Sequence, residues 1–176
     1  MKKLLQLVYL FFQKLLGKSL KSPPSSFSTT LNSHTVSYCT HLIPSLKDSH
    51  QKLIKVYKQI EKSLKLKQYE EIKSLINTLN TDLQHHITQE DMSFYSYLEQ
   101  QFSNQPDYLD FVKMYKEDMH HISQQLMTFI KKWQNETVSD TNVALFQKEY
   151  LVIGQVLTQR ISGKEDQLYP LYQPSF

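Results

Sequence analysis

The chain has 176 residues, enough for one domain with a real core. Three glycines and six prolines leave long stretches without punctuation and favour long helices, while a single cysteine excludes an internal disulfide and fits a cytoplasmic setting. The net charge of +3 is unevenly spread: residues 1–47 carry six lysines and no acid, and the remainder, at −3, interleaves its lysines with acids and offers no nucleic-acid patch.

Residues 1–21, MKKLLQLVYLFFQKLLGKSLK, predict an amphipathic helix. Lys3, Gln6, Lys14 and Lys21 gather on one side, and Leu5, Val8, Phe12, Leu15 and Leu16 on the other. The apolar run is too short to span a bilayer. No small-residue cleavage site follows it, although an uncleaved signal-like segment stays open. Two further destinations are open: an anionic membrane surface, giving peripheral attachment, or packing on protein, either the rest of the chain or a partner. Residues 22–40 are polar and proline-marked and read as a loop or linker, with Cys39 a passive loop residue.

Four long amphipathic helices follow in residues 41–172. The first is predicted from near Pro44, a tolerated first-turn residue, to Lys65–Gln68, with Ile43, Leu46, Leu53, Tyr57, Ile60 and Leu64 inward. The second runs from about Tyr69 to Phe102 on Ile72, Leu75, Ile76, Leu79, Leu83, Ile87, Phe94 and Tyr97. After Asn104 and Pro106 the third carries a regular seam of Tyr108, Val112, Tyr115, Met119, Ile122, Leu126, Phe129 and Trp133. The fourth runs from about Asn142 to Gln167, with Leu145, Phe146, Val152, Ile153, Val156 and Leu157 inward, Leu168 and Leu171 beyond, and two glycines, Gly154 and Gly163, that weaken it locally. Helices with one apolar stripe each bury it together, so the expected fold is all-α: an antiparallel up-down four-helix bundle with an extra N-terminal amphipathic helix. Residues 83–95 and 157–169 also match without a gap, pairing His86 with Arg160 and Glu90 with Lys164.

Several polar residues fall on the inward stripes. His50 lies on the first helix, and His86 and Glu90, four apart, share a face of the second. Imidazole and carboxylate from neighbouring helices suit iron, zinc or manganese. Arg160 and Lys164 face inward from the fourth helix, and a buried cation needs an anion. Glu90 and Glu149 are the candidate partners, so a buried polar network of Glu90, Glu149, Arg160 and Lys164 competes with the metal reading. His85, His120 and His121 point away from the centre. The tyrosines at 57, 95, 97, 108, 115 and 169 read as seam residues with wet hydroxyls.

These residues carry a resemblance. His50 in LKDSHQKLIKVY, His86 and Glu90 in HITQEDMSFYSYL, and the tail RISGKEDQLYPLY together resemble the hemerythrin-like, HHE cation-binding family. The resemblance implies a four-helix bundle and one or two non-haem iron ions, with His50, His86, Glu90 and Glu165 as metal ligands. Arg160 stands where that pattern has a histidine and Lys164 where it has an acid, and the third helix offers Tyr115 and Met119 in place of histidines. More weakly, Arg160 with Glu165–Asp166 resembles a pattern of the regulator of sigma D family, which implies a protein partner. The expectation is a degenerate hemerythrin-like bundle in a regulatory or protein-binding role. The alternative is an iron-binding protein that senses oxygen or redox state or stores iron. The chain shows no paired nucleophile and base, phosphate loop or dinucleotide fingerprint, so an enzyme is not expected.

Overall fold

A computed structural model describes residues 35–174; the amphipathic segment 1–21 and most of the linker 22–40 lie outside the described residues. Regular structure among the described residues is helical throughout. Helix α1 spans Leu42–Lys65 and α2 Tyr69–Gln89; a π-helical segment, Glu90–Tyr95, leads into α3, Ser96–Gln101; then come α4, Pro106–Asn135, α5, Val143–Gln167, and a 3-10 turn, Tyr169–Leu171. Because α2, the π segment and α3 follow one another without a break, the bundle has four helices, each packed on its sequence neighbour and the last on the first. The two interhelix loops at one end meet where Tyr69 and Lys67 both donate to Asp140. At the other end Val36 N–H donates to Gln100 Oε1 and Cys39 N–H to Tyr172. This is the up-down arrangement that short connections impose.

Local chemistry sets the boundaries. Pro44 sits in the first turn of α1, where its missing N–H leaves no bond unmade. The same helix closes on Lys67 in a left-handed conformation (φ 56°), with Gln68 N–H bonded to Ser63 O and Lys67 N–H to Leu64 O, the paired bonds of a Schellman cap. Pro106 opens α4. The π segment was not foreseen. Its wider turn, in which Ser96 Oγ donates to the Asp91 carbonyl, lets adjacent residues share the inner face. Tyr95 and Leu98 are buried beside the expected Phe94 and Tyr97 as a result.

Three positions expected inside lie outside. Tyr108, Leu145 and Val152 are 49%, 47% and 51% exposed. Tyr108 stacks on Phe102 at the rim while Val112 takes the interior. Phe146 fills the place beside Trp133 that Leu145 leaves. On α5 the inner line is Tyr150, Gly154, Leu157 and Ile161, because Gly154 brings the backbone against Tyr57. Gly154 is thus a contact point rather than a weakness.

The core divides into two apolar clusters. One gathers Leu53, Ile60, Ile76, Leu83, Leu126, Trp133, Phe146 and Leu157. The other is aromatic: Phe94, Tyr95, Tyr97, Tyr115, Tyr169 and Tyr172, with Leu46 and Leu168. On α1, α2 and α5 the sequence passes from one cluster to the other through a polar residue, and those residues build the site.

Candidate functional site

His50 lies between Leu46 and Leu53 on α1; His86 and Glu90 lie between Leu83 and Phe94; Lys164 lies between Ile161 and Leu168. Each is held at core depth by apolar residues one turn to either side. The four are 1%, 4%, 3% and 1% exposed, so none can recruit bulk water to satisfy its polar atoms.

Lys164 Nζ donates to both carboxylate oxygens of Glu90, at 2.6 Å each. The attraction between two buried opposite charges in this geometry offsets part of their desolvation cost. Tyr169 adds a longer bond from its hydroxyl to Glu90 Oε1, at 3.3 Å. His50 Nδ1–H donates to Glu165 Oε1 at 2.7 Å, which leaves Nε2 facing the interior, 3.5 Å from the Tyr169 hydroxyl. His86 Nε2 is 3.5 Å from Glu90 Oε1. The two imidazole rings stand 4.7 Å apart between centroids. One donor atom from each of His50, His86 and Glu90 falls within 4.8 Å of the others. The remaining ring nitrogen of His86, Nδ1, has no hydrogen-bond partner among the described residues, and neither does the buried Tyr95 hydroxyl.

The electrostatics follow from burial. Desolvation, reinforced by the Lys164 charge, pushes His50 down to about 4 against the pull of Glu165. The same two causes push His86 down to about 3. Both rings are neutral at pH 7. Burial first, then the Glu90 carboxylate, raises the Tyr169 and Tyr95 hydroxyls far above the ordinary phenol range.

Not every expected member joins this layer. Glu165 lies behind His50 rather than among the three clustered donors. Arg160 does not pair with Glu90, whose two oxygens are both covered by Lys164. It meets Asp118 of α4 instead and lies over the Tyr115 ring, 5.5 Å from its centroid. Glu149 is fifteen residues before Lys164 on the same helix, about 22 Å away along the axis. There it accepts from Lys132 Nζ (2.7 Å) and Trp133 Nε1 (2.8 Å), tying α5 to α4. Tyr115 and Met119 do line the α4 side, while His85, His120 and His121 are exposed, His120 beside Asp91 at 3.2 Å. Tyr95 and Tyr169 were expected to have wet hydroxyls and are buried. The internal match that aligns Glu90 with Lys164 also aligns these two tyrosines, and was the one signal that tied them to the site.

The family model described as the hemerythrin HHE cation-binding domain matches residues 41–172, three quarters of the chain. The chain belongs to the hemerythrin HHE family. Comparison with curated proteins and with solved structures returned no match.

A hemerythrin-like bundle implies bound iron, and the residues present can be tested against it. A pair of ions needs ligands from all four helices, yet α4 supplies Tyr115 and Met119, and α5 places Arg160 and Lys164 on the inward line. The buried carboxylate of the donor cluster is already fully engaged by an ammonium. A cation fixed 2.6 Å from both oxygens opposes a second cation at the same place. A di-iron centre does not fit this interior with Lys164 where it stands.

Proposed function

We propose that this hemerythrin-like domain acts without a bound ion, in a regulatory role exercised by binding a protein partner. The observation that supports it most is the Lys164 ammonium seated on Glu90, which supplies from within the positive charge that the clustered donors would otherwise take from a metal. With its interior closed by its own side chains, the domain has its outer surface left to act through. Helix α5 turns Leu145, Leu151 and Val152 to solvent, which favours a partner with apolar contacts of its own. The basic segment 1–21 adds a membrane or partner contact. No helix among the described residues is long and apolar enough to cross a membrane.

Metal analysis of protein purified without oxygen and then loaded with Fe(II) tests this directly. Iron well below one equivalent per chain is expected. For the surface, a partner held by the wild type and released by Leu151→Glu with Val152→Glu is expected; equal retention by both removes the contact from α5.

A second reading has an observation of its own. The donor atoms of His50, His86 and Glu90 lie within 4.8 Å of one another, a grouping that suits a single transition-metal ion once Lys164 swings aside. The domain would then sense oxygen or redox state, or store iron. Near-stoichiometric iron in the same analysis selects this reading over the first.

A further inference from the structure

We propose that the outer face of α1 is a docking surface for an acidic helix of a partner protein. The inference rests on the protein-binding reading above and adds to it a face apart from α5, together with the chemistry of what that face takes.

In sequence the lysines of α1 alternate with acids, but on the helix the two separate. At about 100° per residue, Lys47, Lys55, Lys58, Lys62 and Lys65 fall within an arc of about 80°, opposite the buried line of Leu46, Leu53, Ile60 and Leu64. All five are exposed, and they run along about 27 Å of helix. Lys65 meets Glu61 at 2.6 Å, while the other four enter no ion pair among the described residues. The acids lie to the sides of this stripe. Asp48 holds Lys52 at 2.7 Å, and Asp82 of α2 acts on the same lysine. Glu61 lies toward Tyr57 and Tyr150, on the α5 side.

The stripe weakens the domain that carries it. Lys55 and Lys58 are three apart, Lys58 and Lys62 four, and like charges at those spacings repel along a helix. The negative end of the helix dipole accounts for Lys62 and Lys65, in the last turn, but not for Lys47, Lys55 or Lys58. An anion from outside relieves the repulsion, and the flanking acids set its shape. A bilayer or a nucleic-acid duplex carries negative charge across more than the width of one helix, about 10–12 Å, and meets Asp48, Asp82 and Glu61 as well. The stripe also has no arginine to grip phosphate, since the one arginine of the chain, Arg160, is buried. A single helix is narrow enough to lie between the acids. Its own carboxylates, recurring at three and four residues on one face, repeat the spacing of Lys55, Lys58, Lys62 and Lys65. Exposed ion pairs contribute little singly, and Leu66, 57% exposed at the end of the stripe, supplies an apolar contact beside them.

The test uses the full chain and a labelled, helix-stabilised peptide of about twenty residues with glutamates on one face. Fluorescence anisotropy follows its binding. A second peptide of the same composition spreads the glutamates around the helix. The first peptide is expected to bind one per chain, more weakly as salt rises, and the second at least about 10-fold more weakly than the first. Changing Lys55, Lys58 and Lys62 together to Glu should cost the first peptide at least about 10-fold. The same change at the exposed Lys113, Lys131 and Lys148 should leave it nearly unaffected. Should three glutamates unfold α1, the matching glutamine variant, which keeps helix propensity, is read in their place with the same outcomes. Equal binding of the two peptides, or equal loss in the two sets of lysine variants, shows that net charge suffices and overturns the inference. Duplex DNA or phosphatidylglycerol vesicles held through Lys55, Lys58 and Lys62 more tightly than the peptide overturn the choice of an acidic helix. None of these results touches the protein-binding reading itself, which stands or falls by iron loading and by the Leu151 and Val152 variants.

Discussion

Tyr57 of α1 and Tyr150 of α5 each donate a hydroxyl to the other's backbone carbonyl, at 2.8 and 2.6 Å, across parallel rings 4.0 Å apart. This reciprocal clasp joins the first and last helices of the bundle. It depends on Gly154, since a Cβ there would lie 1.9 Å from the Tyr57 hydroxyl oxygen. Gly154→Ala is therefore expected to destabilise by about 1–3 kcal/mol, the scale of overpacking. A Cβ at Gly163 meets nothing within 4 Å, and Gly163→Ala is expected to stabilise by about 0.5–1 kcal/mol through helix propensity. Urea denaturation of the two variants should move in opposite directions from wild type. Equal and opposite failure, with Gly154→Ala the more stable, would show that Tyr57 can leave its seat without loss.

The Lys164–Glu90 pair predicts strong coupling. Lys164→Ala leaves a buried carboxylate uncompensated and is expected to cost about 3–5 kcal/mol. Replacing both residues by methionine removes both charges at once and should cost far less than the sum of the single changes. Arg160→Ala should cost less than Lys164→Ala, because its partner Asp118 is 41% exposed and its carboxylate can rehydrate. Additive single and double effects in a mutant cycle would contradict the geometry.

Acid should weaken the fold in a defined window. His50 and His86 bind a proton at about 4 and about 3 in the folded chain, against an ordinary value near 6.5. Between those limits the unfolded chain binds more protons, so stability falls as pH drops through 6.5 and keeps falling until the folded-state values are reached. The loss at pH 5 relative to pH 7.5 is about 2 kcal/mol per ring. Urea midpoints at the two pH values measure it, and His86→Phe should flatten the dependence. A midpoint that does not move would mean that the rings take up protons without leaving the core.

The N-terminal segment gives a separate expectation. If residues 1–21 hold an anionic surface through Lys3, Lys14 and Lys21, the full chain should sediment with phosphatidylglycerol vesicles and release as salt rises. A chain starting at residue 22 should stay in the supernatant. Equal sedimentation of the two chains excludes that role.

The four helices and their ends were legible because periodic apolar residues, Pro44 and Pro106 are local signals that tertiary contacts here reinforce. The inward placement of His50, His86, Glu90 and Lys164 followed from the same periodicity. What periodicity does not encode is which partner a buried charge meets. Arg160 and Lys164 share a face, yet one reaches out to Asp118 and the other inward to Glu90, a choice made by α4 packing. Glu149 was misplaced for the same reason: an inward carboxylate carries no mark of its depth along the bundle. The π segment escaped because one extra residue in a turn leaves composition untouched. It nonetheless brought Tyr95 and Leu98 inside.

A charge borne on Lys164 is made with the polypeptide. Chelators cannot strip it, nutrient starvation cannot withhold it, and neither dioxygen nor peroxide alters its valence. On the ion-free reading proposed above, the centre of this bundle would close as the chain folds, without a metal-loading step between synthesis and the finished interior.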